Sequence, residues 1–289
     1  MFLFIGFGVV LACVFGSFIA SGGAIGPLLA SMPFELITIL GAAIGSFVMA
    51  NSLVDLKHIP AGIKQVLKGP RFARADYIDL LNLLFQLLKS MHAKGYMAIE
   101  SHVEEPENST IFTSFPKIKS DEQTRDLVCD YLRLIGMNVD DPVQFEEAIS
   151  RELKKNIQEE MHLPHALQTL SDALPALGIV AAVLGVIKTM ASISKPPVIL
   201  GEMIAGALVG TFLGVLLAYG VVAPIAARLG GIVGEDACYH RIIRSVLVAH
   251  LQGSAPQISI EIGRKDIPSH CMPRFQELEN AMTSSTATA

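Results

Sequence analysis

Three small sets of residues in this 289-residue chain have types and spacing that bear on chemistry. The first is a pair of prolines, Pro175 and Pro224, each close to one end of a long apolar run. Pro175 follows Asp172 by three residues and Pro224 precedes Arg228 by four, so in antiparallel helices the two stand at the same depth. A proline within a helix removes a backbone donor and frees a carbonyl, which makes a local weak point. The pair reads as a hinge ring near one mouth of a bundle. The alternative for Pro175 is a place in the first helical turn, where a proline costs nothing. The second set is weakly polar: Ser17, Ser46, Thr211 and Tyr219 lie in apolar runs whose interiors hold no Asp, Glu, His or Arg. Ion transport by protons needs a titratable carrier, so an ion-driven chain of this kind needs a partner that supplies the carboxylate. The third set is His92-Ala-Lys94-Gly-Tyr-Met-Ala-Ile-Glu100. Base and acid eight residues apart span a little over two helical turns and can face one partner surface; an ordinary solvated helix face fits the same spacing.

Other chemistries have little support. No nucleophile–base pair and no phosphate-binding loop is visible, so an enzyme is not expected. His162-Leu-Pro-His165 has two ligand-type side chains, but Pro164 is expected to break the helical face that would join them, and no metal site is predicted. Cys13, Cys129, Cys238 and Cys271 are scattered without a CxxC pair and read as plain thiols. No cofactor is called for beyond the coupling ion.

The elements that must position these residues follow from charge. Phe2–Phe34, Leu36–Val54, Ala173–Ile187 and Met203–Ala227 carry no charged residue. A helix needs about 20 apolar residues to cross a bilayer core, and these stretches supply four crossings, with Pro27 and Pro33 marking the first external turn. The first run has no Lys or Arg before it and is too long for a signal-peptide core. The chain is 51% hydrophobic and 17% charged, which suits a polytopic membrane protein. The predicted fold is all-α: a transmembrane hairpin over 1–54, a helical insert over 55–171, a second hairpin over 172–227, and a C-terminal helix with a flexible tail over 228–289. The second span is expected to run on past Leu53 until Pro60 and Gly62 interrupt it. In the insert, 3–4 spacing of apolar residues predicts helices over Tyr77–Lys89 and Leu127–Ile135. Asp140-Asp141-Pro142 supplies a helix start, with Asp as cap and Pro in the first turn. Ile232–Leu251 reads as helix and the tail from Met282 as disordered. The insert holds 14 Lys and Arg against 18 Asp and Glu, well mixed, which argues against a nucleic-acid role. Basic residues concentrate in the insert and after Arg228, so both, and the N-terminus with them, are placed in the cytoplasm.

The motifs are specific enough to name a family. Asp172-Ala-Leu-Pro175-Ala-Leu-Gly-Ile-Val-Ala-Ala182-Val-Leu-Gly185 resembles the third span of MotA, the larger subunit of flagellar stators. Val209-Gly-Thr211-Phe-Leu-Gly214-Val-Leu-Leu-Ala-Tyr219-Gly, then Pro224, is similar to its fourth span. Ile260-Glu-Ile-Gly263-Arg264-Lys265 resembles its post-membrane tail, and Lys94 through Glu100 its torque-bearing region. The resemblance implies an inner-membrane ring of five copies around two copies of MotB, whose single spans carry the proton-accepting Asp, with the insert pushing on FliG of the rotor. By the same carry-over Pro175 and Pro224 gate, Thr211 lies along the ion path, and Glu100 and, more loosely, Glu152 are charged contacts to the rotor. Family members usually have Arg where this chain has His92; Lys94 is placed to supply the charge. Sodium-type members carry Thr at the position of Ala182 and again at that of Thr211, and a methyl group offers sodium no oxygen, so proton coupling is expected. Two other readings compete. ExbB/TolQ-type energisers of the outer membrane have three spans, not four. A solute carrier or pore acting alone would show internal charge or paired repeats.

Overall fold

The structure is a computed structural model that describes residues 2–137, 139 and 141–286. Among them it holds helices and no strand. In chain order these are α1 (Phe2–Ala20), α2 (Ile25–Ala50), α3 (Leu53–Lys68), α4 (Arg74–Lys94), α5 (Met97–Glu104), α6 (Thr110–Thr113), α7 (Pro116–Ser120) and α8 (Glu122–Gly136). The long α9 (Pro142–Met190) follows, then α10 (Pro197–Leu217), a π-helical turn (Ala218–Val222), α11 (Ala223–Leu251), α12 (Pro256–Lys265) and α13 (Phe275–Thr286). The chain divides into two compact units: Met1–Gly69 with Glu160–Ile232, and Pro70–Glu159 with Val233–Ala289. Residues 55–69 and 160–171, which charge alone groups with the insert, pack in the first unit; Gly62 leaves room there for Leu163 and Leu229.

Four stretches are long and apolar enough to cross a membrane: Leu3–Ala20, Ile25–Ala50, and parts of Pro142–Met190 and Pro197–Leu251. Their boundaries correct the charge-based reading in three places. The first turn is Ser21–Ala24, not the Pro27–Pro33 region. Gly22 at φ +82° and the Gly23 N–H to Phe18 O bond (2.9 Å) end α1 as a glycine C-cap does. Pro27 then falls in the first turn of α2, where no donor is needed, and Pro33 inside it. As a result Glu35 is the eleventh of the 26 residues of α2, well inside a span. The expectation that the span interiors hold no carboxylate is therefore overturned. Second, α2 does not run on to Pro60. Asn51 turns extended (φ −122°, ψ 156°) and its amide caps Phe47 O at 2.8 Å, while Pro60 and Gly62 lie within α3. Third, Pro164 does not break its helix. α9 runs unbroken for 49 residues with Pro164 and Pro175 both inside, so Pro175 is no first-turn proline. Asp141 caps α9 by accepting the Val143 N–H at 2.9 Å; Asp140 lies outside the described residues. The described residues hold no cluster of three or more metal-type ligands.

The second unit is built on α4, whose Leu80, Leu81, Leu83, Leu84, Leu87 and Leu88 are fully buried. α5, α8, the start of α9, the end of α11 and α12 close around it through Ile99, Leu132, Phe145, Val246 and Ile260. Phe72 stacks on Tyr239 at 3.7 Å, and Arg71 pairs at 3.3 Å with Asp236, which is itself buried. The C-terminal tail is helical through Thr286 rather than disordered from Met282. Met282 packs against the core and Thr283 Oγ1 bonds Glu279 O at 2.8 Å.

Candidate functional site

In the first unit α9 and α10 meet at backbone contact. A Cβ added to Gly178 would come within 2.8 Å of Gly210 O and 3.3 Å of Thr211 Cα. One added to Gly214 would lie 2.7 Å from Leu174 O, and one on Gly185 would lie 2.6 Å from Ala207 Cβ. The two helices thus share a seam whose width is set by hydrogen atoms, as small residues permit between membrane helices. α2 closes over the seam with Ile39 and Ala43 against Leu174, Ala181, Val209 and Leu213. α1 touches it edge-on, Phe15 to Phe212, with ring centroids 5.9 Å apart.

Both hinge candidates sit at real irregularities. Pro175 cannot donate to Ser171 O, and the Ser171 hydroxyl crosses to α10's end, donating to Ala218 O at 2.9 Å. Ala218 opens the π-helical turn, where its carbonyl also takes the Ala223 N–H. Pro224 follows and cannot donate to Gly220 O. A π turn inside a helix is a recurrent mark of functional sites. A single buried side-chain bond therefore ties the two weakened stretches together and sets Ser171 level with Ala218. With the helices antiparallel, Pro175 lies beside Gly214, while Pro224 lies six residues past Ala218 in the opposite direction. The two prolines thus stand about ten residues, roughly 15 Å, apart in depth, and not at the common level expected from their flanking charges.

The other predicted residues divide. Ala182 and Thr211 are on the seam: a Cβ at Gly210 would lie 3.2 Å from Ala182 N, and Thr211 faces Gly178. Tyr219 and Pro224 are not with them. They line a separate cavity with Phe4, Phe7, Val66 and Arg228, and Tyr219 is exposed. The residue that charge patterning missed is Glu35. Its Oε2 lies against Gly210, where an added Cβ would come within 2.9 Å of it.

The charged set lies in the second unit. His92 and Lys94 end α4 and Glu100 stands on α5; all three are exposed. They do not share one helix as their spacing suggests, because Gly95 at φ +76° ends α4 between them. The corner is nevertheless firm. The Tyr96 ring rests where Gly136 has no side chain, Ile99 and Val103 are buried, and Arg133 reaches Glu104 at 2.9 Å and Val103 O at 3.0 Å. Burial, with the charges of Glu104 and Glu100 next, raises the Tyr96 hydroxyl above its ordinary pKa. His92 stands 6.3 Å from His250, whose pKa is lowered by burial first, with the His92 charge adding to it. Glu152 is apart from this group. It accepts the Tyr131 hydroxyl at 2.6 Å and so joins α9 to α8.

Residues 4–95 match the Motility protein A N-terminal family model, and residues 119–237 match the MotA/TolQ/ExbB proton channel family. Motility protein A of Escherichia coli K12 is 37% identical over 279 residues, covering 96% of this chain and 94% of that protein. The chain belongs to the motility protein A family. Chemotaxis protein LafT of Vibrio parahaemolyticus is 34% identical and covers 96% of each chain. Among solved structures, C. jejuni MotAB matches with a TM-score of 0.73 over 94% of this chain and 98% of that one, at 16% identity. The Bacillus subtilis flagellar MotAB stator complex matches with a TM-score of 0.71, also at 16% identity. At that identity these two establish the fold alone, four apolar helices with a large helical insert. For a motility protein A relative, the seam had a legible signal that spacing of charges does not carry: Gly210 and Gly214 stand four residues apart on one face, with Gly178 and Gly185 opposite on α9. Ser171 had none, because a serine beside an apolar run is unremarkable until its acceptor is known.

Proposed function

We propose that this protein is a flagellar stator subunit that forms, with a single-span partner of the MotB type, a proton-driven unit delivering torque to the rotor. Family membership over nearly the whole chain carries this reading, and the paired helix irregularities at Pro175 and Pro224 support it. In this reading the chain is a multi-pass protein of the inner membrane with both termini in the cytoplasm, and five copies surround a partner dimer. The partner's Asp takes a proton at the seam side and releases it past the hinge. One charge falling through about 100 mV supplies roughly 2.3 kcal/mol, so rotation proceeds in many small steps. Each step bends α9 and the π turn together through the Ser171 bond. His92, Lys94 and Glu100 then present a mixed-charge face to FliG, with Glu152 bracing the insert behind it. The chain works as an ion-coupled machine and not as an enzyme, with protons in place of any cofactor. An ExbB/TolQ-type role in energising the outer membrane is the second reading, and the four candidate spans weigh against it.

The choice of proton over sodium rests on Ala182. A methyl group beside Thr211 leaves sodium one oxygen short of the paired hydroxyls expected of sodium-type members, whereas a proton needs only a carboxylate and water. Swimming speed in potassium buffer free of sodium, at fixed membrane potential, is expected to equal that in sodium. Speed that collapses without sodium and survives discharge of the proton gradient would overturn the assignment.

A further inference from the structure

Glu35 stands ten residues beyond the first residue of α2, about 15 Å along the helix axis at 1.5 Å per residue. The remainder of α2 on either side of it, Ile25–Phe34 and Leu36–Ala50, is uncharged. A carboxylate at such depth costs several kcal/mol to hold as a bare charge and normally faces a bundle interior or a water-lined path. Here Oε2 is set against Gly210: a Cβ added there would lie 2.9 Å from it, 3.0 Å from Ala181 Cβ and 3.2 Å from Ala182 N. A side chain at position 210 would crowd it. The carboxylate thus reaches the α9–α10 seam next to Ala182 and Thr211. Among the described residues it makes no hydrogen bond or ion pair. The hydroxyls nearest in its own helix are engaged, Ser31 to Pro27 O and Thr38 to Phe34 O. On α9 the charge that acts on it is Lys188; on α10 the nearby Gly206 and Gly210 bring none, and Glu202 is exposed. Gly210 precedes Pro224 by fourteen residues, about 21 Å along the helix, and packs against Gly178, three residues beyond Pro175, so the carboxylate stands about one turn from Pro175 and far from Pro224.

We propose that Glu35 is a protonatable station of the ion path carried by this chain itself, on the external side of the Pro175–Pro224 hinge. The inference rests on the stator reading above. A hydronium ion in the external water chain gives its proton to the carboxylate and leaves as water. The acid formed passes that proton to a water on the seam side, which carries it to the partner's carboxylate, and Glu35 is anionic again. Only O–H bonds are made and broken.

The test uses the whole complex, this chain with its single-span partner, in proteoliposomes under an imposed proton gradient and in swimming cells. Glu35→Gln keeps shape and polarity but cannot release a proton. Proton uptake and speed are expected to fall about tenfold or more, as for loss of a proton-transfer group, while Glu35→Asp keeps most of both. The wild-type complex is expected to show the infrared carbonyl stretch of a protonated carboxylic acid that Glu35→Gln lacks, a signal that a packing role would not give. Uptake and speed in Glu35→Gln within twofold of wild type would overturn the proposal while leaving the stator reading intact. A wild-type complex that moves no protons would overturn both. If Glu35→Gln fails to assemble, Glu35→Asp decides: an unshifted dependence of speed on external pH, together with no carboxylic-acid band in wild type, sinks the proposal, and a shifted one with the band upholds it.

Discussion

His240 lies buried between Phe72, Tyr239 and Thr124. The Thr124 hydroxyl donates to Asp121 Oδ2 at 2.6 Å, so its oxygen is left to accept from His240 Nε2, 3.1 Å away, and the network assigns the neutral tautomer. Burial, with the Arg71 charge second and Asp121 opposing, lowers the pKa from 6.5 to about 4. The folded protein therefore refuses a proton that the unfolded chain accepts. Its contribution to stability is complete above pH 6.5 and is lost as pH falls from there toward about 4, up to about 3 kcal/mol at 1.36 kcal/mol per unit. Urea unfolding of the detergent-solubilised protein at about pH 7.5 and about pH 5 measures this. His240→Gln is expected to lose most of the difference between the two; equal pH dependence in variant and wild type would refute the assignment. Glu152 belongs to the same scale. Its bond from Tyr131 gives Glu152→Gln a structural cost that a purely rotor-facing acid would not have.

At the scale of elements, the two prolines are the test of whether a broken ladder is used or merely tolerated. Pro175→Ala returns a donor to Ser171 O, and Pro224→Ala returns one to Gly220 O, which favours regular helix over the π turn. Both variants are expected to reach the membrane and assemble with the partner while swimming well below wild-type speed. Wild-type speed in both would show the irregularities to be passive. Much of the fold could be read beforehand because apolar length and charge are strong signals: four spans, an all-helical insert and the cap at Asp141 all follow from them. What could not be read depends on where helices stop. Charge counting placed the first turn near Glu35, the one charged residue between two apolar runs. Backbone conformation placed it at Gly22 instead, and so moved a carboxylate into a span. In the same way Pro164, a helix breaker by local chemistry, is held inside α9 by packing, with its ring near Gly230. Gly95, which spacing arguments pass over, separates His92 from Glu100. Side-chain pairs far apart in sequence, such as Ser171 with Ala218, leave no trace in local pattern.

At the scale of the whole molecule, the second unit offers exposed charge on a rigid corner. Because His92, Lys94 and Glu100 contribute little to packing, charge changes there are expected to leave stability within about 0.5 kcal/mol and to act on torque alone. Glu100→Lys is expected to lower the stall torque of tethered cells, with partial recovery from a charge swap on the rotor protein. His92→Arg is expected to be tolerated, as it restores the family's usual charge beside Lys94. A large loss from His92→Arg would mean that the imidazole beside His250 is itself required. The α9–α10 seam has a consequence for how such a protein diverges. Gly178, Gly210 and Gly214 already stand at the smallest side chain there is, so a gain of volume on one helix finds nothing on the other left to give up. Drift has no single neutral step through that contact and no compensating pair either. A change of driving ion is thereby left to side chains beside those glycines, such as Ala182 and Thr211, while the three glycines themselves have no room to change.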